Sequence, residues 1–153
     1  MIFPTELYTS DATETEAVGK QLAQELEADR SLPPFIALYG DLGVGKTAFV
    51  RGFASAIAPG AIVRSPTFAL VNEYRAKPRA LFHFDMYRID SEDDLDSIGF
   101  YDYLDRSGIC LVEWSEKIPF ALPEQYLRVT IEKTDISNPN CRKITVESVE
   151  ESI

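Results

Sequence analysis

Apolar positions along the chain follow two periods. Over residues 11–28, Val18, Leu22 and Leu26 recur every four residues, the spacing of one helical face. Thr13-Glu14-Thr15-Glu16 offers a capping box at its start. Two prolines after Leu32 cannot continue a helix and make residues 29–34 a linker. Phe35-Ile36-Ala37-Leu38-Tyr39 is then apolar without a break, as expected of a strand buried on both faces. Residues 48–57 return to helix-compatible spacing, and Pro59-Gly60 stops them. Ala61-Ile62-Val63 is a short strand candidate. Residues 69–74 and 80–87 alternate with period two around Lys77-Pro78, which predicts a hairpin. In its second arm Phe82, Phe84 and Met86 share one face, and Leu81, His83, Asp85 and Tyr87 the other. Ser91-Glu92-Asp93-Asp94 opens a helix with acids at the positive end of its dipole, and Leu95 and Ile98 form its apolar side. Ile109-Cys110-Leu111-Val112 is a second fully apolar strand, ending in Glu113-Trp114, with Pro119 and Pro123 in the loop beyond. Residues 126–131 and 144–149 alternate and predict a closing antiparallel pair, with Asn138-Pro139-Asn140 in the connection. No element is assigned before Asp11.

Between the first apolar strand and its helix stand Gly40-Asp41-Leu42-Gly43-Val44-Gly45-Lys46-Thr47. They match G-x-x-x-x-G-K-[ST], the phosphate-binding P-loop. The chemistry asks for these residue types. Glycines let successive backbone N–H groups turn inward around phosphate oxygens, and the following helix brings its positive end to the same place. Lys46 would reach the outer phosphates of ATP, and the Thr47 hydroxyl would bind Mg²⁺. On average composition, about one random chain in two hundred of this length would carry the pattern. The strand before it and the helix after it are the context it requires. The expected fold is therefore α/β: a P-loop NTPase-like domain over residues 1–153, with a mixed, mostly parallel sheet, an antiparallel hairpin and helices on both faces.

A P-loop site needs a second Mg²⁺ anchor, an acid where a buried strand near the P-loop strand leaves the sheet. Glu113 fits, although the first polar residue after any strand would look the same. Asp85 is the other candidate, to bind Mg²⁺ through water or to orient an attacking water. Thr67, in Ser65-Pro66-Thr67-Phe68, stands at an offset from Thr47 like that of the switch threonine of P-loop GTPases; a plain turn is the alternative. His83, the only histidine, fits a hydrogen-bonded structural role or a catalytic one. Trp114 is an aromatic anchor or a site residue. Arg88 is a surface ion-pair candidate or a charge stabiliser.

The bulk numbers then narrow the classes. With 153 residues, 45% of them hydrophobic, the chain can bury one core. A net charge of −10 argues against a broad basic surface for tRNA or DNA. No cationic segment followed by an apolar one opens the chain, and no apolar run reaches membrane-span length. Cys110 and Cys141 lack metal-ligand spacing, and Cys110 reads as a small core residue. A cytosolic protein is expected.

Together Gly40 to Thr47, Ser65-Pro66-Thr67-Phe68, His83-Phe84-Asp85-Met86-Tyr87-Arg88 and Leu111-Val112-Glu113-Trp114 resemble, in order and spacing, the bacterial TsaE family, also called YjeE. The resemblance runs from about residue 9 to 149. Val44 and Met86 stand where the family would have Ala and another aliphatic residue. The resemblance implies a cytosolic ATPase required for N6-threonylcarbamoyladenosine (t6A) at position 37 of tRNAs that read codons starting with A. It implies action with the TsaB and TsaD proteins, contact with tRNA only through that complex, and no association with membrane or DNA. TsaD would carry the transfer, and ATP hydrolysis would let the complex turn over. Carried over by motif, Thr47 and Glu113 would be the Mg²⁺ ligands, Asp85 catalytic or in the metal shell, and Thr67 part of a switch loop. Residues 9–12 would lie near the adenine. A small-molecule kinase is one alternative, though no arginine-rich lid is visible. A nucleotide-gated interaction module without turnover is another. A GTPase would need an Asn-Lys-x-Asp that the chain lacks.

Overall fold

The structure is a computed structural model that describes residues 1–40, 44–66, 70–134 and 137–150. Helix α1 (Ala12–Ala28) starts at Asp11, whose side chain accepts from the Glu14 N–H. The Glu14 carboxylate reaches back to the Ser10 N–H at 3.2 Å. The cap thus sits two residues earlier than the expected box, with Asp11 as the cap and Glu14 reaching back past it; Thr15 is buried, its hydroxyl paired with Thr9 at 2.8 Å. Val18, Leu22 and Leu26 are buried as their spacing predicts.

Strand β1 (Thr5–Thr9) precedes α1; β2 (Phe35–Tyr39) and helix α2 (Lys46–Ile57) follow it. Next come β3 (Val71–Tyr74), β4 (Ala80–Asp85), the short helices α3 (Glu92–Ser97) and α4 (Phe100–Leu104), and β5 (Gly108–Glu113). Two single 3-10 turns lead to β6 (Gln125–Lys133) and β7 (Arg142–Glu150). All seven strands make one sheet in the order β1-β7-β6-β2-β5-β4-β3. The sheet is mixed, as expected. Its centre, β6-β2-β5-β4, is parallel, while β3 at one edge and β7 and β1 at the other are antiparallel. Both expected hairpins form, β3–β4 and β6–β7. No helix among the described residues is long and apolar enough to cross a membrane.

Two expectations change. Residues 61–63 form no strand: Ile62 is 74% exposed, and the next residue, Arg64, is tied by side chains, its N–H to the Tyr74 hydroxyl and its carbonyl to the Asn72 amide. Without a ladder partner, three apolar residues do not make a strand. Conversely β1 was not expected. It is an edge strand that pairs only with β7 and buries alternate residues only partly, a weak signal in five residues.

Helices cover both faces of the sheet. On one, α1 and α2 pack Leu22, Leu26, Phe49 and Phe53 over Ile36, Leu38, Leu81 and Leu111. The two helices touch backbone to backbone. A Cβ at Gly52 would fall 1.8 Å from the Glu16 carbonyl oxygen, and one at Gly19 would fall 2.1 Å from that of Phe49. Glycine in a helix interior costs about 1 kcal/mol; here it lets α2 lie close against α1. The opposite face is aromatic, with Phe84 edge-on to Phe100 and Tyr103 at 5.3 Å each. Cys110 is buried there, and burial pushes its thiol up to about 12, so it is an inert core residue.

Candidate nucleotide site

Parallel strands bring their carboxyl ends to one edge, where an open α/β sheet binds ligands. Leu38 of β2 is in register with Glu113 of β5, and Glu113 with Asp85 of β4. Gly40 follows β2 directly, so the P-loop leaves the sheet beside both acids. Its φ of +148° suits glycine, and a Cβ there would come within 2.8 Å of the Ile131 carbonyl oxygen and of Val44 Cγ2. Val44 is buried. Gly45, at φ +101°, is the left-handed residue that turns the loop into α2, and its carbonyl accepts the first helical bond from Phe49. Asp41, Leu42 and Gly43 lie outside the described residues, as does Thr67.

Lys46 is the residue expected to reach the outer phosphates, which asks for an ammonium projecting into the loop. It is instead buried, 6% exposed, with its ammonium 3.9 Å from the centre of the Trp114 ring. Trp114 takes a left-handed φ of +58° directly after β5, and its ring meets Tyr87 at 5.0 Å. The indole lies under the lysine. Thr47, in the first turn of α2, is exposed. Residue 46 is buried and residue 47 exposed, about 100° apart around the helix.

Glu113 is buried and takes a 2.6 Å hydrogen bond from His83 Nε2. A carboxylate only accepts, so the ring hydrogen sits on Nε2. Nδ1 is buried with no hydrogen-bond partner. His83 is thus hydrogen-bonded to a candidate site acid. Asp85 accepts from the Tyr87 N–H at 3.0 Å. Burial holds its carboxyl above the ordinary range, reinforced by Glu113 and opposed by the Tyr87 bond, His83 and Lys46. Its own N–H donates to the Leu70 carbonyl, which ties Leu70 to the end of β4. Arg88 is exposed.

One residue escaped sequence reasoning. Arg142, the first of β7, donates from Nε to the Val44 carbonyl at 2.6 Å. Arg142 also lies in register with Thr9, at the end of β1. The end of β1 therefore pairs with the residue whose side chain reaches the Val44 carbonyl. An arginine after an Asn-Pro-Asn turn carries no sequence signal for such a contact.

The donor set suits a magnesium-bound nucleoside phosphate. A backbone turn with positive φ at Gly40 and Gly45, a buried ammonium and a helix start meet phosphate needs. Among the described residues no three acidic, histidine or cysteine side chains are disposed to hold a metal by themselves. Mg²⁺ fits such a place, because it is commonly held by one or two protein oxygens, waters and phosphate oxygens. Thr47 and Glu113 are the residues that could hold it, with Asp85 in register with Glu113.

Comparison with known proteins decides the family. A model of the TsaE family, described as threonylcarbamoyl adenosine biosynthesis protein TsaE, matches residues 9–144. The chain belongs to the TsaE family. It is 37% identical over 131 residues to the tRNA threonylcarbamoyladenosine biosynthesis protein TsaE of Haemophilus influenzae, covering 84% of this chain and 82% of that one. It is 36% identical over 141 residues to the TsaE protein of Bacillus subtilis, covering 92% and 84%. The crystal structure of Bacillus subtilis YdiB superposes with a TM-score of 0.74 at 30% identity, covering 99% of this chain and 88% of that one. As a TsaE family member the chain carries both acids, the P-loop lysine and the tryptophan at one sheet edge.

Proposed function

We propose that this protein is a Mg²⁺-dependent ATPase of the cytosol that serves t6A formation at position 37 of tRNA, with TsaB and TsaD as partners and tRNA met only in their company. The observation that carries the ATPase reading is one cluster. Lys46 at the head of α2, Glu113 at the end of β5 and Asp85 at the end of β4 meet where the P-loop leaves β2. The pathway and the partners come from the family.

In this reading the Gly45 turn and the α2 start bind the phosphates, and Lys46 leaves the Trp114 ring to contact the outer ones. Thr47 and Glu113 would hold Mg²⁺, which supplies charge stabilisation for a transferring phosphoryl group. His83 keeps the Glu113 carboxylate aimed. Asp85, whose burial favours the neutral acid, is suited to accept a proton from, or orient, an attacking water. No arginine of this chain is committed to the transition-state charge, and one supplied in trans is worth about 10³ to 10⁵ in rate.

The test is steady-state phosphate release from ATP by the isolated protein, then with TsaB and TsaD added, with candidate small-molecule acceptors in parallel. Slow release alone and stimulation by the partners are expected. A rate of about 10 s⁻¹ that ignores them, or label transferred to an acceptor, would overturn the proposal.

A further inference from the structure

We infer that Arg142 is a positioning residue of the phosphate loop, which aims the Gly45 amide at a phosphate oxygen. The inference rests on the nucleotide-site reading above and adds a residue to it. Its starting point is the 2.6 Å hydrogen bond from Arg142 Nε to the Val44 carbonyl, made across 98 positions of sequence. The peptide between Val44 and Gly45 is trans, since the cis bonds of the described chain are Phe3-Pro4 and Lys77-Pro78. In a planar trans peptide the carbonyl and the next N–H point in opposite directions. Holding the Val44 oxygen on the guanidinium therefore turns the Gly45 N–H away from it. Gly45 needs such control: at φ +101° with no Cβ, its backbone is open to conformations closed to other residues. A Cβ there would meet nothing nearer than Arg142 Nε at 3.8 Å, so side-chain packing does not fix it.

The guanidinium is itself fixed. Its Nη1 donates to the Pro139 carbonyl and, at 2.9 Å, to that of Cys141. Its backbone is laced between β1 and β6, in register with Thr9 and Lys133. Thr9 in turn pairs with Thr15 of α1. The loop carbonyl is thus tied to three elements that already pack together. An arginine with several donors in one plane suits this better than a lysine, because each bond orients the others. A loop held in its binding shape spends less ordering entropy when phosphate arrives.

Calorimetric titration with ADP, with Mg²⁺ and separately in EDTA, tests this on the intact protein and four variants. R142A should weaken ADP by about tenfold or more in both conditions, the cost of an unordered loop. R142K, which keeps one donor, should recover part of that. R128A, which removes a different contact of the same hairpin (Arg128 to Glu147), should bind as the parent does. K46A should lose ADP binding. Hydrogen exchange adds a readout that a merely structural role would not move: in nucleotide-free R142A, amides of residues 44–49 should exchange faster while the β6–β7 ladder stays protected. ADP affinity of R142A within about twofold of the parent, beside loss in K46A, overturns the inference and leaves the nucleotide site standing. Unchanged affinity in K46A too overturns both. Loss of ladder protection together with the loop would make Arg142 a fold residue and overturn the inference. If R142A melts below the assay temperature, R142K decides: parent-like affinity and loop exchange overturn the inference, and weakened affinity with a protected ladder supports it.

Discussion

The two faces of the central strands diverge towards their carboxyl ends. One face stays apolar throughout, with Phe82, Phe84 and Met86 on β4 and beyond it, Cys110 and Val112 on β5, and Phe35 and Ala37 on β2. The other begins apolar, with Leu81, Ile109 and Ile36, and then turns polar: His83 and Asp85 on β4, Glu113 on β5. The backbones are the same and the hydrogen bonding is the same. What differs is the parity of each residue and how far along its strand it stands. The apolar face supplies cohesion. The other supplies cohesion over its first half and the candidate site over its second, where α2 brings Lys46 onto the Trp114 ring. Stability and function are thus separated by one residue of register.

That separation can be broken from either side. The largest expected effect is on the apolar face. Phe84→Ala removes a fully buried ring packed against Phe100 and Tyr103, and should cost about 3–5 kcal/mol in urea unfolding. ATP hydrolysis per folded molecule should stay near the parent rate well below the melting temperature. A hydrolysis defect matching that of an acid variant would dissolve the distinction between faces.

Glu113→Gln works on the polar face. The amide oxygen can still accept from His83 Nε2, so the fold should hold, while charge at the metal position is lost. Hydrolysis in the presence of the partners should fall by about 10² to 10³, comparable to removing one preorganised electrostatic group elsewhere. ADP affinity in EDTA should barely move. A variant that hydrolyses ATP at the parent rate would remove Glu113 from the site.

Asp85→Asn has the smallest expected effect on stability, and its sign is the informative part. Burial raises the native Asp85 carboxyl above its ordinary value of 3.8. The native state therefore holds the proton more tightly than the unfolded chain does. Its contribution is fully present below about 3.8 and is lost as pH rises through the native value. At neutral pH the ionised acid is thus a net cost that asparagine avoids. D85N should melt above the parent at pH 7, with the gap closing as pH falls towards 3.8, and should be impaired in hydrolysis. A lower melting temperature at pH 7 would show that ionised Asp85 is instead well compensated.

Much of the site was legible along the chain. The P-loop is a contiguous motif, and Glu113 announced itself by ending four apolar residues. The parity split of β4 was visible in plain alternation. The burial of Lys46 was not, because it depends on Trp114 turning back through a left-handed φ after β5. The 61–63 strand failed for a related reason: a strand is a property of a pair, and the residues opposite are not written in the run itself. Gly19 and Gly52 look like ordinary helix-weakening glycines until two helices are laid across each other.

By itself, then, the sequence determined what local periodicity and contiguous chemistry can carry: α1, β2, α2, both hairpins, the phosphate loop and the polar ends of β4 and β5. Tertiary structure alone decided the pairings between residues far apart. It put His83 on Glu113, Lys46 on Trp114, Arg142 on Val44 and β1 on β7. The physical reason is one of range. Helix and strand preferences act over a few residues and leave a repeating trace, whereas a single long-range hydrogen bond leaves none. It exists only once the hydrophobic burial of two sheet faces has fixed which strand ends lie side by side.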